Sequence, residues 1–181
     1  MAFKAIKIIG ISSSIRFIFE ELLKLVFLFC IFPPMRSILL RILGAKVGKG
    51  CIIHRFEFIN LYRGSFRNLS LGDYCFIGNR VLFDLADKIA LGNHVTVSER
   101  VTIMTHLNVG YPDHPLQPIF PSNRNGVSIG NGSFVGVNAT VLSGVTIGPK
   151  TFVAAGAVVN KSIDGSCLVG GVPARPIRSL N

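Results

Sequence analysis

From Ile129 to Asp164 the chain repeats every six residues: IGNGSF, VGVNAT, VLSGVT, IGPKTF, VAAGAV, VNKSID. Each block opens on Ile or Val. Its fifth residue is mostly small (Ser133, Ala139, Val145, Thr151, Ala157, Ile163), and its second is glycine at Gly130, Gly136 and Gly148. A fixed six-residue period specifies a parallel β-helix, in which each coil buries its apolar face only against its neighbours. A large aliphatic at position one and a small residue at position five fill a narrow interior. Glycine at position two lets the backbone turn where a Cβ would clash.

The same count begins earlier, at Val47, Ile53 and Ile59, where Glu57 falls on a position-five site as suits an atypical end coil. Residues 63–70 are a short insertion. The count resumes at Leu71, Ile77 and Phe83 and, after the extra Ile89-Ala90, at Leu91, Val97 and Ile103. Position five then reads Cys75, Val81, Asp87, Val95, Val101 and Leu107, with only Asp87 out of pattern. Residues 109–126 (VGYPDHPLQPIFPSNRNG) interrupt the repeat; their four prolines and two glycines exclude helix and strand. A loop of this length inside a compact domain is usually functional, and Ile119 and Phe120 give it apolar surface to set against a neighbouring subunit.

Upstream the period changes. Residues 15–33 (IRFIFEELLKLVFLFCIFP) read as a helix with Arg16, Glu20 and Lys24 on one polar stripe, apolar all round after Lys24. Pro33-Pro34 stops it, and Met35–Leu43 offers a second short helix carrying Arg36 and Arg41. The uncharged run Leu25–Met35 has eleven residues, whereas a spanning helix needs about 20. Two readings stand: a hairpin lying in the face of a membrane with arginines at the headgroups, or a helix packed on the β-helix or on a partner. Residues 1–14 lack a small-residue cleavage site after an apolar core, so no secretory signal is expected. The chain thus divides into a helical segment (1–46), a repeat domain (47–164) and a tail (165–181).

Charge sharpens this division. The net charge is +10; residues 1–50 carry eight basic and two acidic side chains, and the rest eleven and seven. A basic, apolar N-terminal segment suits the anionic, cytoplasmic face of a membrane, and a basic body suits a polyanionic ligand such as a nucleotide or coenzyme A. Aromatic-basic motifs and finger spacings are lacking, so nucleic acid is not an expected partner. The four scattered cysteines form no C-x-x-C and read as reduced thiols, Cys51 and Cys75 as small core residues.

The repeat, the protruding loop and the closing GVPARPI segment together resemble the hexapeptide-repeat acyltransferases, and in particular the colanic-acid-type and galactoside-type O-acetyltransferases. The resemblance implies a left-handed parallel β-helix with three hexapeptides per coil, hence about five coils here, and a trimer with sites between subunits. It also implies acetyl-CoA as co-substrate and no metal. His106, in IMTHLN immediately before the loop, holds the place of the family's catalytic histidine, and the chemistry needs a group near neutral pKa to take a hydroxyl proton. His114-Pro115 matches the H-P pair of galactoside and maltose acetyltransferases but lies inside the loop, so His114 is expected to line the acceptor site. Glu99 is placed as the carboxylate that orients His106, a role open to Asp84 as well. Asp84, Asn79 and Asn108 are candidates for binding the acceptor. The oxyanion donor maps to the backbone of Gly136-Val137, where some relatives have a hydroxyl residue at the second position. Coenzyme A is expected along Ser143-Gly144 and Ala155-Gly156, with Asn160 standing where threonine is usual. Lys161 (VVNKSI) and Arg175 (GVPAR) would meet its phosphates.

The expected activity is acetyl transfer to the hydroxyl of a lipid-linked or cell-envelope saccharide by a protein peripheral to the inner face of the cytoplasmic membrane. N-acylation of an amino sugar and antibiotic acetylation remain open within the same class. A non-catalytic scaffold and a zinc carbonic anhydrase are the alternatives outside it. The second needs three convergent histidines, a pattern that His54, His94, His106 and His114 do not match.

Overall fold

The structure, a computed structural model, describes residues 11–180. What was expected of residues 1–10, including the lack of a signal, lies outside the described residues. Helices α1 (Ile11–Phe29) and α2 (Pro33–Ile42) lead into short strands that wind through three sheets. The first sheet orders Lys46–Val47, Leu69–Leu71, Ile89–Leu91, Val127–Ile129 and Thr146–Ile147. The second runs from Ile52–Ile53 through Phe76–Ile77, Thr96–Val97, Phe134–Val135 and Phe152–Val153 to Cys167–Gly170. The third orders Glu57–Ile59, Leu82–Asp84, Thr102–Ile103, Thr140–Val141 and Val158–Val159. Neighbours are parallel and in register, as in Ile77↔Val97, Val97↔Val135 and Val135↔Val153. This is the parallel β-helix that the six-residue period specifies.

The interior follows the period. Position-one residues such as Ile77, Val97, Ile103, Val135, Val141 and Ile147 are buried, and so are Cys75, Val81, Val95, Ala139 and Ala157 at position five. The polar residues there bond inward: Ser133 Oγ donates to Gly148 O (3.0 Å) and accepts the Thr151 N–H (3.1 Å), while Thr151 Oγ1 donates to Gly148 O (2.8 Å). Burial pushes the Cys75 thiol up to about 11, which makes it a packing group rather than a nucleophile.

Two positions of the repeat have separate duties. At position two, the N–H groups of Gly72, Gly92, Gly130 and Gly148 donate to Leu91, Ile129, Ile147 and Ile163 O at 2.7–2.9 Å. A Cβ on Gly148 would stand 2.0 Å from Asp164 O. These glycines therefore permit close stacking of coils; the turning expected of them happens elsewhere. Positive φ falls at position four, at Tyr74, Arg80, His94, Arg100, Asn138 and Lys150 and at Gly50, Gly132, Gly144 and Gly156. A side chain held there costs about 1 kcal/mol, which the ladder must offset. Position three adds a side-chain ladder: Lys49, Asp73 and Asn93 N–H donate to the Oδ1 atoms of Asp73, Asn93 and Asn131 at 2.8–2.9 Å.

Several expectations shift. In the first turn Phe58, not Ile59, is the interior residue and lies opposite Phe83. Leu107, counted as a position-five residue, is 41 % exposed. It has left the repeat, because His106–Leu107 pairs antiparallel with Asn123–Arg124. Expected loop residues thus include a strand, and the protruding arm stands on a two-residue ribbon. The insertion at 63–70 holds a 3-10 turn (Phe66–Asn68) that buries Phe66 against Phe27 and Phe58.

The helices differ most from expectation. Helix α1 starts at Ile11 and ends at Phe29, and Pro33 and Pro34 open α2 rather than precede it, as the first helical turn needs no N–H from them. Helix α1 turns Glu20, Leu23 and Phe27 inward, so of its polar stripe Glu20 is buried, Lys24 half-buried and Arg16 exposed. Fourteen large apolar side chains between Ile15 and Ile42 are exposed, among them Phe29, Ile31 and Ile42 at 75–77 %. Among the described residues no helix is long and apolar enough to cross a membrane.

The two glycine-linked positions can be separated at one corner. Gly148→Ala is expected to lower Tm through overpacking of about 1–3 kcal/mol, whereas Lys150→Gly (φ 54° at present) leaves Tm unchanged or raises it. Equal Tm losses in the two variants would overturn this division of roles.

Candidate active site

The third sheet carries the polar centre. Asp84 ends the strand Leu82–Asp84 and is 0 % exposed. Its Oδ2 accepts the Thr105 N–H (2.8 Å) and lies 2.5 Å from His106 Nδ1; its Oδ1 accepts from Asn60 Nδ2 (2.8 Å) and Ala86 N (3.3 Å). Thr105, also 0 % exposed, returns a bond from its Oγ1 to Asp84 O (2.7 Å) and accepts the Asp87 N–H (3.0 Å). Burial alone would raise the Asp84 carboxyl, but the His106 ring, the Thr105 N–H and the Asn60 amide outweigh it and hold the group below the usual carboxylate range. An ionised carboxylate only accepts, so the proton of the neutral His106 ring sits on Nδ1 and the lone pair on Nε2. The ring is 16 % exposed, at the foot of the protruding arm, where Arg124 lies opposite it across the ribbon.

The expected site residues separate accordingly. Asp84, named for acceptor binding and, with Glu99, as a candidate to orient His106, is the carboxylate that lies against the ring. Glu99 makes no ion pair with His106 among the described residues, and its carbonyl accepts the Asn138 N–H (3.1 Å). Asn79 is an exposed corner residue whose carbonyl accepts the Arg100 N–H. Asn108 Oδ1 caps the Gly110 N–H (3.0 Å), and His114 Nδ1 accepts from Leu116 N (3.2 Å) within the arm. No hydrogen bond among the described residues joins these three to the Asp84–His106 pair. The Gly136 N–H donates to Val153 O (2.9 Å), so Gly136 is committed to the ladder and Val137 is the remaining residue of that pair.

Lys161 and Arg175 do come together. With Asp164, Cys167 and Ala174 they line a cleft of about 480 Å³ where the tail folds back as Arg175–Ser179 against Cys167–Gly170. Ser143, Gly144, Ala155, Gly156 and Asn160 lie outside this cleft, on corners. A Cβ on Gly156 would meet nothing within 4 Å, so that corner is open to a ligand's approach. Among the described residues no group of three His, Cys, Asp or Glu side chains is placed to hold a metal.

Sequence reasoning missed Asn60 and Thr105. Asn60 sits at φ 61°, a conformation asparagine tolerates, and its place at the end of FEFIN was the available signal. Thr105 carried none, because its partner is 21 residues away.

Comparison with known proteins follows the same lines. A family model described as "Bacterial transferase hexapeptide (six repeats)" matches residues 126–161. The chain is 34 % identical over 143 residues to WcaF of Escherichia coli (strain K12), a protein named for acetyl transfer in colanic acid biosynthesis, covering 79 % of this chain and 74 % of that one. It is 30 % identical to the galactoside O-acetyltransferase of Lactococcus lactis, over 82 % of this chain and 70 % of the other. A hexapeptide-repeat acetyltransferase of Vibrio cholerae, solved with acetyl coenzyme A, superimposes with a TM-score of 0.76 at 27 % identity, covering 90 % of this chain and 85 % of that one.

The depressed Asp84 pKa sets a direction for acid stability. The ionised group stabilises the fold above its ordinary value of 3.8, and that contribution is lost as pH falls below it. Asp84→Asn is expected to lower Tm at neutral pH and to shrink the fall in Tm between about pH 5 and pH 3. A variant that tracks the wild type at every pH would count against the site as described.

Proposed function

The chain belongs to the hexapeptide-repeat acetyltransferases, and on that premise we propose that it moves an acetyl group from acetyl-CoA directly onto a saccharide hydroxyl, with His106 as general base. The observation that carries this is the Asp84–His106 pair, buried on one side and open at the arm on the other. Asp84 fixes the ring and stabilises the imidazolium that forms. His106 Nε2 takes the hydroxyl proton as the oxygen attacks the thioester carbonyl; the Val137 N–H meets the oxyanion. When the tetrahedral adduct collapses, His106 returns the proton to the departing thiolate, so no acyl-enzyme is needed. Lys161 and Arg175 hold the phosphates of the coenzyme, and Gly156 with its neighbours Ala155 and Asn160, and Ser143-Gly144, border its path. Asn79, Asn108, Glu99 and His114 surround the acceptor.

The same reading takes the solenoid as left-handed with five coils, and the assembly as a homotrimer. Exposed Tyr111, Leu116, Ile119 and Phe120 on the arm support a subunit contact, since exposed apolar clusters mark interaction sites. The acceptor is a lipid-linked or cell-envelope saccharide. The exposed apolar face of α1 and α2, beside Arg16, Arg41 and Lys46, supports a peripheral place on the inner face of the cytoplasmic membrane.

Transfer of labelled acetyl to glycolipid and polysaccharide fractions is expected to fall by about 10²–10⁴ in His106→Ala with coenzyme A binding kept, while His114→Ala retains measurable transfer. Wild-type rates in His106→Ala would sink the assignment. For the membrane, Phe29→Glu with Ile31→Glu is expected to release the protein from the pelleted membrane fraction; unchanged pelleting would refute the peripheral placement.

A further inference from the structure

Between α1, α2 and the third sheet lies a second pocket, of about 240 Å³, distinct from the coenzyme cleft. Its lining includes Lys24, Arg36 and Arg55 against a single carboxylate, Glu57, with Phe27, Leu28 and Phe58 as apolar walls. Lys24 is already matched by Glu21 (2.7 Å) and Glu20 (3.3 Å). Arg36 is not matched. It is 7 % exposed and pairs with no carboxylate among the described residues; one Nη1–H reaches Ile53 O at 3.3 Å, and its Nε has no partner among them. Burial pushes its guanidinium below the usual range; the Cys30 thiol opposes that shift and Arg55 adds to it. A buried cation without a counter-ion is costly unless something anionic completes it.

The surroundings say which anion. Leu28, a wall of the pocket, is 44 % exposed and continues into exposed Phe29, Ile31 and Phe32. A ligand that is anionic at the pocket and apolar beyond it matches both parts. A planar guanidinium suits the paired oxygens of a phosphate.

We propose that this pocket binds the phosphate of an anionic lipid, a phosphate ester or pyrophosphate whose hydrocarbon chain leaves along the apolar face of α1 and α2. The pocket and Asp84 share one sheet. Leu82 lines the pocket and Asp84 lies two residues along the same strand or about 7 Å. Ile59 lines the pocket and its neighbour Asn60 bonds Asp84. A saccharide carried on the bound phosphate therefore stands within reach of His106. This last step rests on the acetyl-transfer reading; the lipid site itself does not.

The test uses the full chain and sedimentation with vesicles of phosphatidylcholine alone or mixed with phosphatidic acid, with coenzyme A binding measured in parallel. Phosphatidic acid is expected to strengthen vesicle binding. Arg36→Gln and Arg55→Gln are each expected to weaken it by between about ten-fold and a hundred-fold, as for lost charge-assisted hydrogen bonds. Arg55 is exposed, so its variant remains informative if Arg36→Gln fails to fold. Lys49→Gln removes the same charge outside the pocket and is expected to cost no more than the about five-fold of a surface charge. Equal losses in Lys49→Gln and the pocket variants, or equal binding to both vesicle types, would overturn the proposal. Displacement of the protein from vesicles by inorganic phosphate at the lipid's own concentration would also overturn it, since the ligand would then be a free anion. Coenzyme A binding tests the acetyl-transfer reading separately: its loss would leave the vesicle result standing.

Discussion

Everything in this molecule depends on the spacing between stacked coils. Each coil donates its amides to the carbonyls of the next, as Gly72 does to Leu91, Gly92 to Ile129 and Gly130 to Ile147, at the fixed separation of paired strands. After the strands of the first sheet that separation is too small for a Cβ at position two, as at Gly72, Gly92, Gly130 and Gly148, and everywhere it obliges the chain to change direction within a few residues at each corner. The six-residue period is the sequence's answer to both demands. Residues that do not fit the period have one place to go, which is outward.

The Asp84–His106 pair lies at two such places. Asp84 sits where the count breaks between Asp84 and Ile89, and His106 where it breaks before the arm. The two breaks are stacked, and Thr105, still buried, ties one to the other through its N–H and its hydroxyl. A buried carboxylate with this many donors has little freedom to rotate, so the imidazole it holds is oriented by the scaffold rather than by a flexible loop.

The interior of the solenoid was legible because burial there is periodic. Val135, Val141 and Ile147 announce themselves by spacing alone. The corners were less so: Tyr74, Arg80 and Lys150 are not turn-forming residue types, and only the stacking of coils makes them adopt positive φ. Counting through an insertion fails for a related reason. Leu107 keeps the numerical phase but not the path of the chain, and Ile59 gives way to Phe58 because the first turn is one residue short. His106 stood out by its position before the loop, yet the carboxylate beside it could not be chosen between Glu99 and Asp84, since distance along the chain does not show which one the stacked coils bring to the ring. Helix α1 showed its amphipathic pattern clearly; which face turned inward was decided by Leu61, whose N–H is satisfied by the buried Glu20 (2.9 Å).

A solenoid has two open ends, each a row of unpaired backbone groups able to template another chain. Here the first turn is stoppered by α2, whose Arg41 donates to Val47 O (2.9 Å) and Gly48 O (2.7 Å). The far end of the second sheet is closed by Arg175–Ser179, which runs against the direction of every strand before it. Reversing the last strand breaks the translational symmetry along the axis, so the edge it presents does not repeat the parallel pattern of the coils. The strand that forms one wall of the Lys161–Arg175 cleft thus also interrupts the repeat at this end of the solenoid.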